Sequence, residues 1–74
     1  MTTSEAIKEF RYRLNMSQQA FATALGISMR AVANYEAGRS PQPRQMSRLE
    51  RFAAAQRAND LRTVFKEALA KQLE

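Results

Sequence analysis

The stretch SQQAFATALGISMRAVANYEAG, residues 17–38, decides the fold because it reads as two short helices joined by a tight turn. A serine opens each helix, Ser17 and Ser28, and its hydroxyl can accept a hydrogen bond from an unpaired backbone N–H of the first turn. Gly26 and Gly38 mark the two helix ends, where glycine adopts a left-handed backbone without a Cβ clash. Two short helices that cross steeply form a helix-turn-helix motif.

Apolar residues at helical spacing outside this motif predict three further helices. The first begins at a capping box made by Thr2 and Glu5, and the last is capped by Asn59 or Asp60. A turn-rich segment with two prolines, residues 37–43, precedes the fourth helix. The predicted ranges of the three helices are about 3–15, 44–57 and 61–73. We therefore expect an all-α, compact five-helix bundle.

The composition limits the kinds of site that the chain can build. Its 74 residues suit one domain, 1–74, and contain neither cysteine nor histidine. Thiolate zinc sites and nucleophile–histidine pairs are therefore excluded. We expect no catalytic residue, no metal site, no cofactor and no evident small-molecule ligand. No segment approaches the roughly 20 apolar residues of a membrane span, and no signal-peptide core is present, so we expect a cytoplasmic protein without a membrane partner.

The charge balance favours a polyanionic partner. Lysine and arginine number 12 against 7 acidic residues, which gives a net charge of +5. Seven of the arginines fall within residues 30–62, where only three acidic residues oppose them. Such an excess is typical of nucleic-acid binding, although composition alone also fits a merely basic, solvated surface.

Several positions of the motif, at fixed offsets, carry a family resemblance. They are Ser17-Gln18, Phe21-Ala22, Leu25-Gly26-Ile27-Ser28, Val32, Tyr35-Glu36 and Gly38. Together they resemble the Xre-type helix-turn-helix domains of phage lambda Cro and repressor proteins, over roughly residues 7–53. Ala33 departs from the serine frequent in that family, and Tyr35 from the tryptophan of many members. The resemblance implies a sequence-specific regulator of transcription that binds double-stranded DNA.

The resemblance also implies that a recognition helix at about 28–36 enters the major groove of an operator. Its base-contacting positions would be Met29, Arg30, Ala33 and Asn34. Arg30 can donate two hydrogen bonds to guanine, Asn34 can pair with adenine, and Met29 or Ala33 can contact a thymine methyl. Two alternatives stay open from the residues alone, namely that Arg30 contacts only a phosphate and that Met29 only covers surface.

A second set of positions is implied to contact DNA phosphates. These are Ser17, Gln18, Gln19, Ser28, Arg39, Ser40, Gln42 and Arg44. Gln18 lies in the first turn of its helix, where backbone N–H groups favour an anion. The alternative for Gln18 and Gln19 is a purely solvated role. We expect Arg48 and Arg51 to lie on a solvated face.

The resemblance implies one structural ion pair, between Arg11 and Glu36, because an Arg buried without a partner is costly. It also implies a homodimer on a palindromic site, with half-sites about 34 Å apart. The last helix offers the dimer contacts, with Phe65, Leu69 and Leu73 as candidates. The same apolar face serves equally well as intramolecular core.

The leading functional expectation is a transcriptional repressor. The alternative is an antitoxin-like or adaptor module that keeps the helix-turn-helix fold but binds another protein, which the broad apolar face of the last helix would suit. RNA binding fits the charge, but the chain lacks an aromatic platform on which bases could stack.

Overall fold

The computed structural model describes residues 1–74 and contains five helices and no strand. The helices are α1 (Thr3–Arg13), α2 (Gln18–Leu25), α3 (Met29–Glu36), α4 (Pro43–Ala55) and α5 (Asn59–Gln72). The predicted all-α, five-helix fold is confirmed. The five helices include none with the length and apolar character that crossing a bilayer requires.

The starts of the first three helices follow the predicted chemistry. The Thr2 hydroxyl accepts a hydrogen bond from the Glu5 N–H at 3.1 Å, and the Glu5 carboxylate accepts one from the Thr2 N–H at 2.8 Å. Together these two bonds complete the capping box. Ser17 and Ser28 each accept the backbone N–H three residues further on, at 3.0 and 3.1 Å. Local hydrogen bonds therefore fix where each of these helices begins.

Residues with a positive φ follow the ends of the first four helices, including the predicted Gly38, with φ 119° after α3. Gly26 has φ 73° after α2, as predicted. Asn15 has φ 54°, so α1 ends two residues before the predicted limit. Arg57 has φ 59°, and α4 accordingly ends at Ala55 rather than at Arg57. The predicted ends of α1 and α4 were too late because neither Asn15 nor Arg57 continues its helix.

The predicted cap of α5 is wrong. The residue before the helix is Ala58, without a side-chain cap, and Asn59 is already helical. Asp60 binds Arg13 instead, with both guanidinium Nη atoms at 2.9 and 2.7 Å from its carboxylate oxygens. These hydrogen bonds lower the pKa of Asp60 to about 2. Arg13 thus ties α1 to α5.

A single hydrophobic core draws on all five helices. Phe10 of α1 lies at its centre, with ring centroids 5.5 Å from Phe21, 5.0 Å from Phe52 and 6.2 Å from Phe65. The 12 buried apolar residues are Ala6, Ile7, Phe10, Phe21, Ala22, Leu25, Val32, Met46, Leu49, Ala53, Leu61 and Phe65. The helix-turn-helix pair is therefore packed on a continuous core rather than held by its turn alone.

Phe65 is not available as a dimer contact, contrary to the expectation from its place on the last helix. Its side chain has 0% exposure and packs within the core. Leu69 is half-buried against the same core, whereas Leu73 is 69% exposed. For Phe65 the intramolecular alternative applies, because α1 and α4 cover that side of α5.

A buried ion pair joins α1 to α3. Arg11 Nε and Nη2 donate to the two Glu36 oxygens at 2.7 and 2.9 Å, and the side chains are only 16% and 6% exposed. Arg11 Nη1 also donates to the Met16 carbonyl, and Gln18 Nε2 donates to Glu36 at 3.3 Å. The Arg11 hydrogen bonds hold the pKa of Glu36 below its ordinary value. The end of α3 is thereby fixed to α1 and α2.

Arg48 was expected to lie on a solvated face, but its side chain binds the neighbouring helix α2. Its Nη1 donates to the Leu25 carbonyl at 3.3 Å, at the carboxyl end of α2. A cation there donates a hydrogen bond to an unpaired carbonyl and interacts favourably with the negative end of the helix dipole. Arg48 therefore helps α4 to hold the helix-turn-helix pair.

The left-handed backbone at Arg57 predicts that Arg57→Gly stabilises the protein. Glycine adopts this conformation without the Cβ penalty, so we expect a gain of about 1 kcal/mol and a rise in Tm of roughly 4–8 °C. Thermal melts followed by circular dichroism measure the change. The matched variant Asn15→Gly should gain less, because asparagine tolerates this backbone. An unchanged or lower Tm for Arg57→Gly would contradict the prediction.

Glu36→Gln should lower the free energy of unfolding by about 2 kcal/mol at neutral pH, because Arg11 then faces a neutral amide. The folded state holds the Glu36 pKa below its ordinary 4.5. The stabilisation is therefore complete above that pH and is lost as the pH falls through the folded pKa. Urea melts at decreasing pH should show the wild type and the variant converging below about pH 4.5.

Asp60→Asn is the control for that pH dependence. Since the pKa of Asp60 is about 2 in the fold and 3.8 ordinarily, its difference from wild type should be complete above about pH 3.8 and should be lost as the pH falls toward 2. A gap between the wild type and Glu36→Gln that stays constant through the acid range would refute the assigned role of the Glu36 carboxylate.

Candidate nucleic-acid interface

Helix α3 presents four predicted base-contacting residues away from the core. Val32 is fully buried, and at about 100° per residue Arg30 and Asn34 lie roughly on the opposite side of the helix. Met29 and Arg30 are exposed, and Ala33 and Asn34 are half-buried. None of these four side chains is in the core, so the solvent side of α3 carries a cation, an amide and two apolar groups.

A loop of residues 37–42 lies beside α3 and forms a shallow groove with it. The groove is lined by Ala31, Asn34, Tyr35, Arg39, Ser40 and Gln42. In this groove Asn34, a predicted base contact, lies next to three predicted phosphate contacts, Arg39, Ser40 and Gln42. Burial raises the pKa of the Tyr35 phenol in this groove, which therefore stays neutral at physiological pH.

Unpaired backbone donors cluster where this loop enters α4. The N–H groups of Ser40 and Gln42 make no hydrogen bond within the protein. Those of Arg44 and Gln45, in the first turn of α4, are also unpaired, and Gln42 provides no side-chain cap. The Gln45 N–H was not foreseen, although the absence of a capping residue before Pro43 is a signal for it. Such a cluster of N–H groups favours an anion.

The arginines near these donors carry free positive charge. Arg30, Arg39 and Arg44 are exposed and form no ion pair. By contrast, the guanidiniums of Arg11 and Arg13 bind carboxylates of neighbouring helices. Three unpaired guanidinium groups thus lie on α3, on the loop that follows it and at the start of α4.

The serine hydroxyls at the helix starts can still bind a phosphate. Ser17 and Ser28 use their oxygens as acceptors for capping, and both residues are exposed. A hydroxyl group that accepts one hydrogen bond retains its own proton to donate. Each serine therefore has one donor left for a phosphate oxygen.

The two glutamines of α2 differ from the serines because their amides are already in use. Gln18 donates to Glu36 at 3.3 Å and is half-buried, whereas Gln19 donates to Thr23 at 3.2 Å along its own helix. One N–H of each amide remains unbonded. Gln18 is held by the buried ion pair, and Gln19 is held only by its own helix.

The comparisons with known proteins agree with this geometry. A family model described as Helix-turn-helix, HTH_3, matches residues 7–53, which is well over half of the chain. No curated protein and no solved structure matches the chain. The matched residues begin in α1, contain the whole helix-turn-helix pair and end in α4. The chain belongs to the Xre and lambda-repressor-like helix-turn-helix family and is a helix-turn-helix DNA-binding regulator.

Proposed function

We propose that this regulator is a repressor that binds a palindromic operator as a homodimer, with α3 in the major groove. The observation that carries the proposal is the pair of outward residues Arg30 and Asn34, next to a loop with free arginines and unpaired N–H groups. A helix with free polar side chains suits the major groove, where every base pair offers a distinct set of donors and acceptors.

In this proposal α3 reads bases through side chains of different chemistry. Arg30 donates two hydrogen bonds to guanine O6 and N7, and Asn34 pairs with adenine. Met29 and Ala33 contact thymine methyl groups. The exposure of Arg30, together with its lack of an acidic partner, supports a base contact over a structural role.

Phosphate contacts would position α3 without reading sequence. Arg39, Ser40, Gln42 and Arg44 supply charge and donors from the loop and the start of α4. Ser17 and Ser28 add their hydroxyl protons, and Gln18 and Gln19 add the N–H that each amide retains. Gln18 is the better placed glutamine because Glu36 already restrains its side chain.

The proposed dimer contact is now limited to the outer end of α5. Leu73 is 69% exposed and Leu69 is half-buried, whereas Phe65 belongs to the core. A twofold contact there would hold two copies of α3 at half-sites about 34 Å apart. The adaptor alternative depends on an exposed apolar face of α5. Because Phe65 is buried, the largest residue of that face is not exposed to a protein partner.

A dimer of this kind would repress by occupying a promoter and excluding the polymerase, and it needs no catalytic group, cofactor or small-molecule ligand. A cytoplasmic location is part of the proposal. The binding would be strongly electrostatic, since exposed arginines replace the counterions of the DNA.

Selection of bound duplexes from a random DNA pool tests the proposal. We expect an inverted repeat, bound with a salt dependence of about −0.9 in log K for each phosphate neutralised. Capture of a stoichiometric protein partner, with no DNA retained, would favour the adaptor alternative and contradict the proposed function.

Arg30→Ala and Arg44→Ala should separate base reading from phosphate binding. Arg30→Ala should abolish the preference at one base pair per half-site, worth about 1–3 kcal/mol. Arg44→Ala should weaken binding to all sequences alike and reduce the salt slope by about 0.9 for each phosphate that is no longer neutralised. Repeating the selection and the salt titration on each variant measures both effects. Base preferences unaltered by Arg30→Ala would assign Arg30 to a phosphate.

Leu73→Gln should weaken dimer formation without affecting the fold, because Leu73 is largely exposed. Sedimentation velocity should show a shift toward monomer, and the affinity for the palindrome should fall while that for a single half-site is unchanged. Ala54→Gln, an exposed change on α4, is the control. A dimer that persists unchanged in Leu73→Gln would place the interface elsewhere.

A further inference from the structure

The 37–42 loop is held to the body of the protein by one hydrogen bond that is distant in sequence. Gln72 Nε2, in the last residue of α5, donates to the Pro41 carbonyl at 2.7 Å, and the Pro41 side chain is fully buried. The other hydrogen bonds of the loop go only to its flanking helices, such as that from the Arg39 N–H to the Asn34 carbonyl at 3.0 Å. Gln72 is thus the only side chain that is hydrogen-bonded to this loop.

The bond to Pro41 fixes the direction of a neighbouring donor. The peptide group between Pro41 and Gln42 is planar and trans, so its C=O and N–H point in opposite directions. Because Gln72 holds the carbonyl toward α5, the Gln42 N–H is directed away from α5. That N–H has no partner in the protein, and it lies at the uncapped start of α4 beside Arg44.

We propose that Gln72 is a positioning residue, which aims the Gln42 N–H at a DNA phosphate without touching DNA itself. The inference rests on the proposed function because it takes the phosphate as the acceptor of that N–H. It extends the DNA-binding machinery to the last turn of α5, outside residues 7–53 of the family match. A donor that is already held in the right direction loses less conformational entropy on binding than one in a loop that the DNA must first order.

A double-mutant cycle isolates this role. Gln42 has φ −64°, the value that proline imposes, so Gln42→Pro removes the N–H with its φ preserved. Gln42→Ala removes the same side chain but retains the N–H. We expect Gln72→Ala to weaken operator binding by about three- to tenfold in the Gln42→Ala background. In the Gln42→Pro background the loss should be under about twofold, because no N–H remains to be aimed.

The control variant Gln56→Ala makes the same truncation at an exposed residue after α4 and should leave binding unchanged. Base preferences should be the same in all the variants, because α3 is not altered. Equal losses from Gln72→Ala in both backgrounds would overturn the inference, since a general structural effect does not depend on the Gln42 N–H.

A measurement without DNA separates this inference from the proposed function. The ¹⁵N order parameter of the Gln42 amide should fall in Gln72→Ala from about 0.85 toward 0.6. An unchanged order parameter would overturn the inference even if the wild type binds DNA. Failure of the wild type to bind any duplex would refute the proposed function, and with it the phosphate as acceptor of the Gln42 N–H. The order parameter of the Gln42 amide would still show whether Gln72 holds the loop.

Discussion

The buried ion pair between Arg11 and Glu36 is the constraint on which the rest of the structure depends. A guanidinium and a carboxylate taken out of water are costly unless they pair in a well-defined geometry. Here Arg11 binds both carboxylate oxygens at 2.7 and 2.9 Å, Gln18 donates a further hydrogen bond to Glu36, and the Met16 carbonyl accepts one from Arg11. Because these partners belong to α1, α2 and the connection between them, α3 has one orientation in which all of them are satisfied.

Six of the nine arginines form two groups with different consequences. Arg11, Arg13 and Arg48 bind groups on neighbouring helices and contribute to the packing of the fold. Arg30, Arg39 and Arg44 have no such partner and lie on α3, on the 37–42 loop and at the start of α4. Charge left unpaired on one part of a small protein is available to a polyanion. The same residue type therefore stabilises the fold at some positions and remains available to a polyanion at others.

Features set by local chemistry could be predicted from the sequence, and features set by distant partners could not. The caps at Ser17 and Ser28 and the left-handed Gly26 depend on a few neighbouring residues, and all three are present. Asp60 fits a helix cap equally well by sequence, but Arg13, 47 residues away, binds its carboxylate. Periodicity likewise places Phe65 on an apolar face without indicating what covers that face. The outward position of Arg30 follows from periodicity, whereas its ligand does not.

The buried side of α3 holds the helix in place, and we propose that its outer side, with the 37–42 loop, meets DNA. A titration of ¹⁵N-labelled protein with a duplex from the selection tests this claim most directly. We expect amide shift changes to be concentrated at residues 17–19, 28–34 and 38–44, with exposed α1 residues such as Lys8 and Tyr12 unaffected. Changes concentrated on α1 and α5, with Arg30 and Asn34 undisturbed, would contradict it.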